Sequence, residues 1–545
     1  MINFYHLFSY PMFRIQSLFL EKTKSFNQIV SDYVSGSLNK SFYEHEYNLN
    51  SFEKLIKDRN FELNKRAVLK VKLKEQYGSL INDNDAASVQ KNINFLSDEK
   101  TFTVTTGHQL SLLTGPLYFI YKILTAIKLA EELKKKFPSN NFVPVYWMAT
   151  EDHDFEEIKS VNLFGNKVEW SKTSHIATGR ISTDGIEQFT EQALALFGNS
   201  LNNASEIVSI IKESYQPSKT LADATRLLVH SLFKKYGLVV VDGDDTEFKK
   251  QFKSVIRDDI FNQSTFKNVN QTNAELEKHY SVQVNPREIN FFYLTDDYRE
   301  RIIKTESGFE VNNREVKFTA DEMKSEIDNH PEKFSPNVLL RPVYQETILP
   351  NLAYIGGPAE VHYWLQLKNL FNHFNVPYPM VVLRNCFMLL EEDVLKKLDK
   401  YKINQADIFK STDKLINDYI KAHTDSEISL SDLSGKLDVL FNDIAVKASS
   451  VDVTLKNTVE AEKQKALNAL KNIESKMLKS EKQKQEAVVN QVKKIKDKLF
   501  PSNSLQERYD NVFPYFVKYG TAFIDKIYTA CDPLPTDFKL VSISA

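Results

Sequence analysis

Three short stretches hold the residue types that chemistry needs. Gly107-His108-Gln109 follows a β-rich run, Glu151-Asp152-His153-Asp154 closes a second one, and Gly356-Gly357-Pro358 with Glu360 opens a helical pattern. Histidine among carboxylates can take up or give a proton near neutral pH, so His153, Asp154 or Glu151 could serve as general base, with Asp152 and His153 the favoured catalytic groups. On an extended strand Glu151 would share a side with His153, and Asp152 with Asp154; a turn there brings Asp152 and His153 to the same hollow. The same side chains suit zinc or magnesium, but consecutive ligands are poor geometry for one ion, and no metal is expected. Asp154 ahead of Glu156-Glu157 also reads as a helix cap. Arg341 and Arg384 can each fork a carboxylate or make a structural ion pair.

These groups need elements that hold them together. Phe102 to Thr106 reads as a strand, Thr114-Gly115-Pro116 opens a helix running to about Lys136, and Phe142 to Ala149 reads as a second strand. A βαβ unit has parallel strands, so both polar clusters fall at one sheet edge, where ligands of open α/β sheets sit. Leu238 to Val241 adds a strand with an acidic end, after the helix Thr225 to Tyr236. The sheet is expected to resume at Asn337, with Val338-Leu339-Leu340 leading to Arg341-Pro342 and a strand-like Ile348 to Ile355. Pro379 to Leu383 is the final strand, ending in Arg384-Asn385. Proline at a helix start costs no hydrogen bond, and free N–H groups there suit anions, which makes Thr114, Gly115 and Lys122 candidate nucleotide contacts. Lys122 also fits a surface lysine.

The remaining chain reads as support. Residues 1–95 form a helical layer, 96–265 the first half of the core, 266–336 an inserted segment and 337–390 the second half. A β-rich edge is expected over Leu163 to Ile181, a polar helical insertion from Lys249 to about Tyr280, and a small β insertion from Val282 to Phe318. Residues 391–504 form a helical coiled-coil domain and 505–545 pack back on the core. In the coil, Glu391 to Ala422 is expected as one helix and Asp432 to Ala448 as another. Leu455, Val459, Ala466, Leu470, Ile473 and Met477 then keep a heptad-like spacing, which resumes at Val488 after an 11-residue step. Such a step unwinds a left-handed coil locally. The helix can extend about 75 Å at ~1.5 Å per residue, and it must fold back or pair with another subunit to bury its stripe.

With 545 residues, 42% of them hydrophobic, the chain can bury more than one domain's core. A net charge of -2 argues against a basic nucleic-acid binder, and two cysteines, Cys386 and Cys531, give no disulfide framework. No targeting pattern and no run of about 20 apolar residues is present, so a cytoplasmic protein off the membrane is expected.

Four motifs resemble the bacillithiol-biosynthesis cysteine-adding family: TGHQLSLLTGPLYFIYK (106–122), VPVYWMATEDHDFEE (143–157), YIGGPAEVHYWLQL (354–367) and LFPSNSLQER (499–508). The resemblance implies a Rossmann-like parallel-sheet core like that of class I aminoacyl-tRNA synthetases, two connecting-peptide insertions and a dimerising coiled coil. It implies a ligase that joins cysteine to the amine of glucosaminyl-malate, with ATP or another nucleotide as candidate cofactor and no nucleic acid as partner. Gln109, Trp147, Glu151, Asp154, Arg341, Tyr354, Gly356, Gly357, Glu360, Trp364 and Arg384 become candidate substrate contacts, and Arg508 a nucleotide contact. Trp364 on an apolar helix face equally reads as core. The family more often has Gly-Gln-Gln where this chain has Gly107-His108-Gln109. Thr105-Thr106-Gly107-His108 lines up instead with the His-x-Gly-His signature of class I synthetases, with Thr105 in place of the first histidine, which makes His108 a candidate catalytic group, while the lysine-rich loop of synthetases is absent. The rival reading is an adenylate-forming enzyme acting on another amine or on RNA. A third makes the α/β body a scaffold for the coil.

Overall fold

The sheet that organises the larger unit is fully parallel. In this computed structural model, which describes residues 13–82, 84–198, 201–424 and 429–543, its strands are β1 (Thr101–His108), β2 (Asn141–Met148), β3 (Val239–Asp242), β4 (Asn351–Gly356) and β5 (Met380–Leu383). They lie in the order β5-β4-β1-β2-β3. The chain winds outward from β1 in one direction and then, from β4, in the other, so a switch point lies between β1 and β4. Register places His108 beside Met148, Met148 beside Asp242, and Gly356 beside Leu383, so all five carboxyl ends share one edge.

Helix α1 (Tyr118–Lys136) makes the crossover from β1 to β2. Its Ala126, Leu129, Ala130 and Leu133 pack with Phe102, Val104, Phe142, Ile355 and Val382 in one apolar core, to which Phe52 and Leu55 add a cover. Strands buried on both faces must be apolar almost throughout, which is why β2 and β5 read as continuous hydrophobic runs. Helix α2 (Leu221–Phe233) precedes β3 and is fixed at its start by a reciprocal cap between Thr220 and Asp223.

The segment before β4 departs from expectation. Arg341 and Pro342 lie in helix α3 (Leu340–Ile348), not on a strand. The Asn337 carboxamide oxygen accepts from the Leu339 and Leu340 N–H groups, and a proline in the first helical turn forfeits no bond. Phe334–Pro336 instead completes an antiparallel five-stranded sheet with Phe291–Leu294, Arg299–Thr305, Gly308–Val311 and Lys317–Phe318. The helices Lys253–Asn262 and Ser264–Leu276 precede this sheet and bury Val255, Ile256, Ile260, Val269 and Leu276, so the insertion is less polar than expected. The expected β-rich edge is one hairpin, Ser160–Leu163 with Asn166–Glu169. Near the start, Phe13–Phe19 is a strand; only from Leu20 does the helical layer begin.

Two compact units divide the chain; residues 15–388 and 506–541 form most of the larger one and 389–505 most of the smaller. In the smaller unit the expected single helix from Glu391 is broken into Glu392–Lys400, a 3-10 turn at Gln405–Phe409, and Thr412–His423, which Ser411 caps. Lys402 takes a positive φ of 52° between the first two, and a helix cannot pass through it. Ser431–Val451 packs along Leu455–Lys484. The latter stops at Gln485 and Glu486–Leu499 follows, so the break falls inside the 11-residue step and the long helix is two rods.

Candidate active site

Beyond the carboxyl ends of β1, β2 and β4 lies a hollow of about 780 Å³. It is lined by Gly107, His108 and Gln109 from β1, by Glu151, Asp152 and His153 after β2, and by Gly357 and Glu360 after β4. The three chemically loaded turns therefore share one cavity, because parallel strands deliver their ends to one edge.

Its floor is an ionic network. Lys122, one turn into α1 and buried, donates to the Gly107 carbonyl and to Glu360 Oε2 at 2.6 Å. Glu360 also accepts from Tyr354 Oη at 2.6 Å and from the Gly357 N–H at 2.8 Å. Burial pushes the Glu360 carboxyl up, but Lys122, Tyr354 and Gly357 outweigh it and hold the group below the usual carboxylate range. Burial pushes Lys122 down. Gly107 is needed there: a Cβ would sit 3.2 Å from Tyr354 Oη and 3.4 Å from the Arg341 guanidinium. His108, packed edge-on against Tyr118, is driven down to about 3 by burial and then by Lys122, so its ring is neutral.

The walls carry cations. Arg384 pairs with Glu507 through two nitrogens, at 2.6 and 2.9 Å, and Arg341 donates to Gln345 at 3.0 Å. Three buried nitrogens around the hollow have no partner: His108 Nε2, Arg341 Nη2 and Arg384 Nε. Buried polar atoms in native proteins are almost always bonded, so such a set marks where a polar ligand completes the site. Gln109 Nε2 bridges Asp152 at 2.8 Å and Glu157 at 2.9 Å, while Glu151 is paired with the buried Lys249.

Most of the residues expected from sequence meet here: His108, Gln109, Lys122, Trp147, Glu151, Asp152, His153, Arg341, Tyr354, Gly357, Glu360, Arg384 and Arg508. Five do not line the hollow. Trp364 is core, stacked on Tyr354 at 4.3 Å, and Gly356 is buried in β4. Asp154 caps Phe155–Ile158 by accepting from the Glu157 N–H. Thr114 and Gly115 sit in a left-handed turn that Asn511 closes, its amide donating to the Leu113 and Gly115 carbonyls at 2.6 Å each. The Asp510 carbonyl takes the Leu117 N–H at 2.7 Å, so part of that helix start is already occupied by the chain itself. What sequence reading missed is the contribution of Arg299 and Arg301 from the inserted sheet and of Arg287 from the loop that leads into it. Arg299 and Arg301 alternate on one strand and so share a face, a signal that was present in the sequence.

The family model "Bacillithiol biosynthesis BshC, N-terminal Rossmann-like domain" matches residues 13–385, and "Bacillithiol biosynthesis BshC, C-terminal coiled-coil domain" matches 387–543. The chain is 41% identical over 522 residues to "Putative cysteine ligase BshC" of Flavobacterium johnsoniae, covering 95% of this chain and 98% of that protein. It is 41% identical over 530 residues to the protein so described from Cytophaga hutchinsonii, covering 97% and 99%. A solved structure described as "putative arginyl t-RNA synthetase" from Campylobacter jejuni aligns with 82% of this chain and 92% of its own at 12% identity, with a TM-score of 0.19, too low to support any argument.

Proposed function

The chain belongs to the bacillithiol biosynthesis BshC family, and on that premise we propose that it is a cysteine ligase, joining the carboxyl of cysteine to the amine of glucosaminyl-malate. The observation that supports this reading is the hollow itself. It sets a proton acceptor, Asp152, beside arginines whose unpartnered nitrogens call for anions.

Both substrates carry carboxylates, and Arg341 and Arg384 present guanidinium edges to them. A sugar amine arrives as an ammonium and must lose a proton before it attacks. Asp152, its carboxylate oriented by Gln109 and standing at the cavity wall, takes that proton from the amine nitrogen. Lys122 and Glu360 neutralise each other and hold the floor in shape, and Tyr354 donates a further hydrogen bond to Glu360.

Amide formation from a free carboxylate also needs activation. A nucleoside triphosphate, when bound, supplies that by turning the carboxyl oxygen into a leaving group. Arg341, Arg384 and Arg508 suit its negative charge, whereas at the start of α1 the Leu117 N–H already goes to the Asp510 carbonyl. The coil is proposed to join two copies of the chain, since its long helices leave Leu433, Leu440, Ile444 and Ile473 exposed.

Incubation with cysteine, glucosaminyl-malate and ATP, with the product followed by thiol labelling, tests the reading. Arg341→Ala is expected to raise KM for the carboxylate substrate by about 10-fold or more, as loss of a charged hydrogen bond does. No product with any nucleotide would sink the proposal. Cysteine-dependent pyrophosphate exchange stimulated by RNA and indifferent to the sugar would favour the synthetase-like rival.

A further inference from the structure

Arg299 lies on the inserted sheet, far in sequence from the catalytic turns, yet its guanidinium is held on every side. Nε donates to Ser335 Oγ at 2.9 Å, Nη2 to the Pro336 carbonyl at 3.0 Å, and the group lies 3.9 Å over the Phe292 ring. The remaining nitrogen, Nη1, lies 2.9 Å from His153 Nδ1. The same Phe292 ring packs against the His153 imidazole at 5.6 Å, so one aromatic orients both partners.

A guanidinium has donors only and stays charged at any pH a protein survives. The hydrogen bond therefore has one direction: Arg299 Nη1 donates, and His153 Nδ1 accepts. A neutral imidazole that accepts at Nδ1 carries its proton at Nε2. The opposite tautomer would set an N–H against an N–H of a cation, and the doubly protonated ring would do the same while adding a second charge. Nε2 has no protein partner among the described residues, and His153 lines the hollow.

We propose that Arg299 is a positioning residue that fixes His153 as an Nε2–H donor, and that this donor stabilises the oxygen of the acyl carbon while the amine attacks it. The inference rests on the ligase reading for its second half only. The amine, its first proton already on Asp152, forms the nitrogen–carbon bond while the carbonyl electron pair moves onto that oxygen and Nε2–H bonds to the developing charge. As the pair returns, the bond from the acyl carbon to the activated carboxyl's leaving oxygen breaks, and that oxygen carries off the second nitrogen proton. His153 is thus a donor and not the proton acceptor that its residue type suggested. The charged groups around it agree: burial and then Arg299 hold the imidazole below its ordinary value, against Asp152, Asp154 and Glu300, which pull the other way.

The first test needs no substrate. In the full-length enzyme with nitrogen-15 histidine, the His153 signals, assigned by their loss in His153→Asn, should show a pyridine-type Nδ1 and a pyrrole-type Nε2 from pH 7 to 9, with a titration midpoint below the ordinary value. A protonated Nδ1, or titration at the ordinary value, overturns the proposal. In Arg299→Ala the tautomers should mix and the midpoint should move up, while Arg299→Lys, which still donates, should restore the native pattern. An unaltered tautomer in Arg299→Ala also overturns it. With substrates, Arg299→Ala should lower kcat on the order of 10- to 100-fold with little change in KM, the signature of a lost oxyanion donor. A change confined to KM overturns the oxyanion role. If the native enzyme makes no amide while the tautomer holds, the ligase reading fails and the positioning role stands.

Discussion

At the scale of single residues, burial decides which titratable groups keep their charge. His108 binds its proton near pH 3 in the fold, against 6.5 for a free imidazole. The unfolded chain thus binds one more proton between those values, so the stability His108 contributes is complete above about pH 6.5 and is lost as pH falls towards 3. His108→Gln should flatten that acid slope by up to roughly 1.4 kcal/mol per pH unit, read from urea midpoints at pH 4, 5, 6 and 7. A wild-type slope retained in the variant would refute the assignment. Lys122 and Glu360 give a second case. Glu360→Ala leaves a buried ammonium whose remaining protein contact is the Gly107 carbonyl, and should cost about 3 to 5 kcal/mol. Lys122→Met with Glu360→Leu should recover more than half of that in the same unfolding experiment. The charged residue types here were legible from sequence, because histidine, lysine and glutamate beside glycine turns are unusual in apolar runs. Their partners were not: Lys122 and Glu360 lie 238 residues apart.

At the scale of elements, the turn from β1 into α1 shows how local signals mislead. Glycine and proline there read as an open helix start with Pro116 at its first position, but the helix begins only at Tyr118 and Pro116 stays outside it. Leu113, Thr114 and Gly115 all take positive φ, and the buried amide of Asn511 satisfies the carbonyls that this conformation leaves over. Asn511→Ala should unpair the Leu113 and Gly115 carbonyls and destabilise the protein by about 2 to 4 kcal/mol, seen as a lower Tm. A Tm within a degree of wild type would show that the turn does not depend on that amide. Arg341 teaches the complementary lesson, since an Asn337 cap and an early proline mark a helix that hydrophobic runs alone present as a strand.

At the scale of the whole molecule, the helices Ser431–Val451 and Leu455–Lys484 leave apolar side chains exposed, among them Leu440, Ile444 and Ile473. Sedimentation of the full chain should give twice the chain mass, and Leu440→Glu with Ile444→Glu should give one, with secondary structure unchanged by circular dichroism. A wild-type monomer at micromolar concentration would exclude pairing through this face. Among the described residues no helix is long and apolar enough to cross a membrane.

The chain by itself determined the βαβ framework and the three polar turns that line the hollow, because hydrophobic periodicity and glycine turns act over a few residues and survive reading in one dimension. It also marked the 11-residue step as a place of local unwinding, while the break into two helices at Gln485 came only with the structure. Only the tertiary structure decided which cations face the hollow. Arg299 and Arg301 reach it from an antiparallel insertion whose place over the sheet edge is set by long-range packing. Burial, and with it the protonation of His108 and His153, belongs to the assembled fold, because desolvation depends on everything that surrounds a side chain and not on its neighbours in sequence.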